Sequence, residues 1–435
     1  MSEESIKLNH VKYNLQSWSK QRGLNPIIIE KADGIYMWDP SGKRYSDMSS
    51  QLVNLNLGHG NKAIIDAIKK QADKCCYISP SYGNEARGEL AKMLIELLPD
   101  NFGKVFFTNA GADANENAIK MARMYTGRYK VFSRYRSYHG STFGAGNLTG
   151  EPRRYPLEPG IPGFVKFFDP YIYRDGLKFA SEQEASDYYV NRLREQLVYE
   201  NPASVAAIIC ETVTGSNGAI IPPKGYFEGL RKVCDEFGVM LICDEVMMGF
   251  GRTGKMFAFE HYNIKPDIVS FAKGVTCGYV QLGGCAVSAK IAEYFDDNFL
   301  SCGLTYSGHP LACAAGIAAL NFYRENRILD NVNARAPELA AILASIKEKH
   351  EIVGDVRSIG LFGAVELVKN RETREPLVPY GKDPDGVMKK IGGELAKRGF
   401  MTYTHENMIL IAPPLIITKE QLDEEMAKLD EVLSR

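Results

Sequence analysis

Two charged side chains stand where apolar runs end, and their chemistries are complementary. Asp244 follows Val-Met-Leu-Ile-Cys (239–243), and Lys273 follows Asp-Ile-Val-Ser-Phe-Ala (267–272). An apolar run bounded by turn residues reads as a buried parallel strand, and ligands of such sheets sit beyond the carboxyl ends of the strands. A carboxylate and an amine are thereby expected to face one crevice. An amine placed there can hold an aldehyde as a Schiff base and, once displaced, carry protons. A buried carboxylate can keep a heterocyclic nitrogen protonated. Pyridoxal phosphate needs both services from a protein.

The same stretch carries a competing pattern. Gly249-Phe-Gly-Arg-Thr-Gly-Lys255 fits G-x-G-x-x-G and also the opening of a phosphate loop. Met256 stands where Ser or Thr would have to reach a metal. The glycines also follow the acidic strand instead of opening the fold. Nucleotide hydrolysis is therefore not expected.

Positioning such a pair takes a large α/β unit, and the chain is long enough to build one. It has 435 residues, 45% of them hydrophobic and 24% charged, with a formal net charge of −1. That length predicts a large domain with a lesser one, and the balanced charge advertises neither nucleic acid nor a membrane surface. Nine cysteines are scattered without a C-x-x-C pair, and most of those beyond Cys75-Cys76 lie in apolar runs, as expected of reduced thiols. The seven histidines lack metal-ligand spacing, so no metal is expected. The polar opening and the lack of any run approaching ~20 apolar residues predict a cytoplasmic protein.

Along the chain, strand-like runs alternate with helical patterns, which argues a mostly parallel sheet. Residues 1–55 form a preamble with two short strands about the turn Asp39-Pro-Ser-Gly42. A helix is expected over Glu85–Leu98, ended by Pro99. Lys104–Thr108 reads as the first central strand, running through Asn109-Ala-Gly-Ala112 into a helix. Gly111 and Ala112 there make a cradle of free amides for a phosphate. A second strand, Lys-Val-Phe-Ser-Arg-Tyr (130–135), leads to Tyr138-His139-Gly140, where an aromatic ring can stack on a flat ligand. The irregular stretch 151–164 that follows carries Arg153 and Arg154, favoured as an anion-binding loop. Val205–Cys210 is another buried strand, ending at Glu211, and Gly225–Gly238 is helical. From about Asn331 the pattern becomes α+β, with a last helix opened by the capping pair Thr418 and Gln421.

Taken together, Asp244, Lys273, NAGADANENAIKMAR, YHGST, GFGRTG and TYSGHPLACAA resemble, in order and over nearly the whole length, a class III pyridoxal phosphate aminotransferase of fold type I. The resemblance implies a large cofactor-binding domain over 56–330, whose mostly parallel central sheet is flanked by helices. A small α+β domain would come from both termini, 1–55 and 331–435. By resemblance, Lys273 carries the cofactor and Asp244 pairs with its ring nitrogen. Gly111 and Ala112 hold the phosphate, Tyr138 stacks on one ring face and Val246 on the other. Met247 lies towards the ring hydroxyl, and His139 with Glu211 steadies Asp244 and the pocket. Thr305 reaches the neighbouring subunit's phosphate, which implies a homodimer with shared sites and leaves a tetramer open.

Departures from the pattern bear on substrate. Ornithine- and 4-aminobutyrate-type members carry an arginine just before Ala-Pro-Pro-Leu and a glutamate that pairs with it; Leu410 and Ser216 occupy those places here. Ser141 replaces the arginine of acetylornithine-type members, and the mobile arginine of many ω-transaminases maps near Tyr403. An acidic substrate must then find its cation elsewhere, and Arg153 and Arg154 are offered, with Trp18 as a donor and apolar wall. The opening 17–61 most resembles taurine:2-oxoglutarate aminotransferases. The implied reaction is a two-step amino transfer from taurine to 2-oxoglutarate, giving sulfoacetaldehyde and L-glutamate. A β-alanine or 4-aminobutyrate donor, a pyruvate acceptor, or an aminomutase or decarboxylase of the same fold would keep the same cofactor residues.

Overall fold

A computed structural model describes residues 2–434. Its frame is a seven-stranded sheet built from β4 (Phe102–Thr108), β5 (Lys130–Arg134), β6 (Phe164–Phe167), β7 (Val205–Glu211), β8 (Met240–Asp244), β9 (Ile268–Phe271) and β10 (Gly283–Ser288), in the spatial order β4-β10-β9-β8-β7-β5-β6. The pairs β5–β6, β5–β7, β7–β8 and β8–β9 are parallel, and only β10 runs against its neighbours. Every residue of β7, β8 and β9 is buried, which is why they read as unbroken apolar runs: both faces of a parallel sheet are covered by helices.

Lys104–Thr108 was expected at the centre of the sheet, and the structure corrects this. The strand begins two residues earlier and lies at an edge, bonded only to β10. Gly103 and Lys104 are exposed, and the next two residues only half-buried. A short apolar run signals a strand but does not say how many neighbours it has.

Three short strands precede this sheet: β1 (Lys31–Asp33), β2 (Tyr36–Trp38) and β3 (Arg44–Asp47), the last two joined through the Asp39–Gly42 turn. The Asp39 carboxylate accepts the Ser41 and Lys43 amides, as an Asx turn requires. Late in the chain come β11 (Val353–Ile359), β12 (Phe362–Asn370), β13 (Glu375–Pro376), β14 (Phe400–Met401), β15 (Thr404–His405) and β16 (Met408–Ile411). They form an antiparallel sheet β11-β12-β16-β15 with β13 on β12, whereas β14 lies parallel to β3. Helices occupy Glu85–Leu97, Tyr226–Phe237 and Lys419–Leu433, the last with the full Thr418/Gln421 capping box. Among the described residues no helix is long and apolar enough to cross a membrane.

Arg252, in the Gly249–Gly254 turn, is fully buried and meets no carboxylate there. It donates to the carbonyls of Leu361 and Pro413, to Ser50 Oγ and to Asn56 Oδ1, so one side chain joins three distant parts of the chain. The glycine pattern that imitates a phosphate loop thus serves a packed junction.

Candidate active site

Register places the first set of groups. Glu211 pairs with Asp244, and Asp244 with Ser270, across β7, β8 and β9. Paired residues of neighbouring strands point to the same face, so a polar row lines the carboxyl rim of an otherwise apolar sheet. Asp244 is buried and fully engaged: Oδ2 receives His139 Nδ1 at 2.7 Å and Asn115 Nδ2 at 2.8 Å, while Oδ1 accepts the Val246 amide at 3.0 Å. Asn115 is itself held, donating to the His139 carbonyl at 2.8 Å and accepting Ser270 Oγ at 2.6 Å. Three donors thus converge on one buried carboxylate and hold it in place to pair with a cation.

Glu211, read with His139 as steadying Asp244 and the pocket, accepts the amides of Tyr138 (2.9 Å) and Gly215 (2.7 Å), so it fixes the backbone that carries the Tyr138 ring. Burial raises its pKa, and Asp244 adds to the rise, while His139 opposes it.

Lys273 lies two residues past β9 in a left-handed conformation (φ +44°), on the crevice side. Desolvation lowers its pKa to about 8 against the pull of Asp244 and Glu211, with the charge of Arg153 adding to the lowering. An amine poised there is a nucleophile near neutrality.

At the start of the helix Gly111–Thr126, the capping residue Ala110 supplies no side-chain bond, so first-turn amides remain free for an anion. A Cβ on Gly111 would lie 2.7 Å from Val246 Cγ1, and one on Gly140 would lie 2.6 Å from the Ala112 Cβ. Only glycine fits at either position. Together with the unpartnered, buried Nε2 of His139 behind Asp244, this cradle suits a flat, phosphate-bearing heterocycle. Val246 and Met247 are half-buried at the crevice wall, and Thr305 is exposed, its carbonyl accepting Tyr77 Oη at 2.8 Å.

The loop after Tyr138 separates its two arginines. Arg153 stacks on Tyr138, its guanidinium carbon 3.8 Å from the ring centroid, and reaches within 5.4 Å of the Trp18 ring. Trp18 stands edge-on to Tyr138 at 6.5 Å and is 63% exposed. Arg153 Nη2 donates to Ser216 Oγ at 2.8 Å, and its Nε bonds the fully buried Glu151. Arg154 turns the other way, bonded to Glu158 and the Gly150 carbonyl, and lines a separate cavity of about 970 Å³ with Lys166 and Tyr189. Leu410 is buried in an apolar cluster.

Four polar residues of this neighbourhood escaped the sequence reading: Asn115, Ser270, Glu151 and His405. Asn115 had a signal, since it interrupts the small apolar stripe Ala114, Ala118, Ala122 of its helix. The other three had none.

The chain matches the "Aminotransferase class-III" family model over residues 18–433. A taurine:2-oxoglutarate aminotransferase from Bifidobacterium kashiwanohense, solved in complex with PLP and glutamate, is 54% identical, with TM-score 0.97 and coverage of 100% of this chain and 98% of that one. A gamma aminobutyrate transaminase of Solanum lycopersicum is 35% identical over 416 residues (92% of this chain, 90% of the relative). A taurine–pyruvate aminotransferase of Bilophila wadsworthia is 32% identical over 439 residues (97% and 95%).

Proposed function

Since the chain belongs to the class-III aminotransferases, enzymes that depend on pyridoxal phosphate, we propose that it moves the amino group of taurine to 2-oxoglutarate. That it acts on an amino donor and a keto acid follows from the family; the identity of the two substrates is our reading. The observation that carries it is Arg153. It brings a cation into the crevice of Lys273 although the family's usual arginine position is Leu410. Taurine's sulfonate and the distal carboxylate of 2-oxoglutarate are both acceptors for one guanidinium fork. The 54% identity to a taurine:2-oxoglutarate aminotransferase supports the same choice.

We assign the cofactor's phosphate to the first-turn amides at Gly111 and Ala112, its ring to the slot between Tyr138 and Val246 beside Met247, and its nitrogen to Asp244. When bound, the cofactor supplies an electron sink for the substrate carbon that bears nitrogen. The remaining work falls to the chain. Asp244, held by His139 and Asn115, keeps a proton on the ring nitrogen. Lys273 Nζ would hold the cofactor's aldehyde group and, as a free amine, would carry a proton to or from the substrate carbon that bears nitrogen. Glu211 keeps Tyr138 in its stacking position through the backbone. Arg153 and Trp18 hold the far end of the substrate. Exposed Thr305 is free to serve a second copy, and we propose a homodimer with shared sites in the cytoplasm.

The testing experiment is a grid of donors (taurine, β-alanine, 4-aminobutyrate) against acceptors (2-oxoglutarate, pyruvate). Taurine with 2-oxoglutarate is expected to give the highest kcat/KM and to release sulfoacetaldehyde and glutamate. Preference for pyruvate, or a donor turned over with no acceptor, would replace this reading.

A further inference from the structure

Arg153 is held on three sides, and only one edge of its guanidinium is left open. Nε is bonded to Glu151, Nη2 donates to Ser216 Oγ at 2.8 Å, and the flat face lies 3.8 Å from the Tyr138 ring centroid. Among the described residues Nη1 has no hydrogen-bond partner. Glu151 is fully buried, and its second oxygen receives His405 Nε2 at 2.7 Å. His405 is in turn stacked on Tyr403 at an interplanar angle of 13°, with Tyr403 Oη 3.3 Å from its Nδ1. This chain of contacts runs from the loop after Tyr138 to β15.

Resting on the assignment of Arg153 as the anion-binding cation, we infer that Glu151 and His405 are positioning residues that fix which edge of the guanidinium meets the substrate. A guanidinium offers two bidentate edges, Nε with Nη2 and Nη1 with Nη2. Glu151 at Nε and Ser216 at Nη2 occupy the first between them. The substrate anion is then met end-on by Nη1 and the remaining Nη2 proton. A buried carboxylate beside an arginine needs its other oxygen satisfied, or it will rotate to seek a donor. His405 satisfies it, with an imidazole oriented by the Tyr403 ring. The device replaces mobility with a fixed fork: the acid of the family's arginine–glutamate pair is Ser216 here, too short and uncharged to pull Arg153 away. Because the fork is fixed, an anion of the right length is read by distance from Lys273, in the donor and in the acceptor alike.

The test uses ethanesulfonate, taurine without its amine, as a competitive probe of the anion site in the holoenzyme. Glu151→Ala is expected to raise its inhibition constant and the KM for taurine about tenfold, one hydrogen bond's worth at a charged group, with kcat little changed. Glu151→Gln keeps an acceptor for Nε and is expected to recover most of that loss. In an Arg153→Ala background, Glu151→Ala should add nothing, since Glu151 acts only through the arginine. Should Glu151→Ala fail to hold the cofactor, His405→Phe carries the same comparison, with an expected rise of about threefold. An inhibition constant raised by Arg153→Ala but untouched by the Glu151 and His405 changes would overturn the inference and leave the anion site standing. Equal losses from Glu151→Ala in both backgrounds would overturn it too. If Arg153→Ala itself changes nothing, the assignment of the anion site is what has failed.

Discussion

The two halves of the crevice are built by different means. The half assigned to the cofactor hangs on strand ends: Glu211, Asp244 and Ser270 stand in register on three strands that are buried throughout, and their partners are buried or half-buried. The half proposed to hold the substrate hangs on loops: Trp18 is mostly exposed, Arg153 sits in a short helical turn, and their partners come from Ser216 and, through Glu151, from β15. Rigid scaffolds fix chemistry, whereas loops vary to set specificity. On the proposed assignment, one half decides whether an amino group moves, and the other decides from what.

That division can be broken or sharpened by substitution. Lys273→Ala removes the nucleophile, and both the yellow colour of the purified protein and turnover are expected to vanish; turnover near the wild-type rate would end the scheme. Asp244→Asn leaves His139 and Asn115 in place but takes away the charge. We expect kcat to drop at least about a hundredfold, ~2.7 kcal/mol of barrier, with little change in KM for taurine. Arg153→Ala should show the opposite split: kcat/KM for taurine and 2-oxoglutarate lower by about 10- to 100-fold, mainly through KM, and an unaltered cofactor spectrum. A cofactor spectrum that shifted with Arg153 would blur the two halves into one.

Reconstitution of the apoenzyme tests the amine directly. With the Lys273 pKa lowered to about 8, the reactive neutral form dominates above that pH and falls roughly tenfold per unit below it. The rate of colour return is thus expected to rise with pH and level off beyond about 8; a rise continuing past 10 would mean the lysine is not desolvated. The smallest effect is expected from Trp18→Phe, about two- to fivefold in KM for taurine, since an edge contact and one N–H donor are lost while an aromatic wall remains.

The same contrast governs how far the sequence could be read. Asp244 and Lys273 were legible because each ends an apolar run, and the glycine cradle because Gly111 opens a helix that needs free amides. The centre of the sheet was not: Lys104–Thr108 looks like its neighbours by composition, and only pairing shows that it is an edge. Asn115 was legible in principle as a polar break in a small apolar stripe. Glu151 was not. Its burial depends on His405, 254 residues away, and no local pattern encodes such a partner. Arg153 and Arg154 are adjacent in sequence yet turn to different partners, Tyr138 and Ser216 for the first and Glu158 for the second, a distinction set by the turn Pro152–Leu157 and not by residue type.

The pairing of β3 with β14 joins residues 46–47 to 400–401. During synthesis the early strands emerge long before their partner exists, so this ladder closes a very long loop, between residues 47 and 400. The seven-stranded sheet is complete in sequence by Ser288 and can assemble first. The early meander must wait, with the outer edge of β3 unpaired meanwhile. Shortening the chain before Phe400 would therefore leave an unpaired strand at its other end, a place where aggregation would begin.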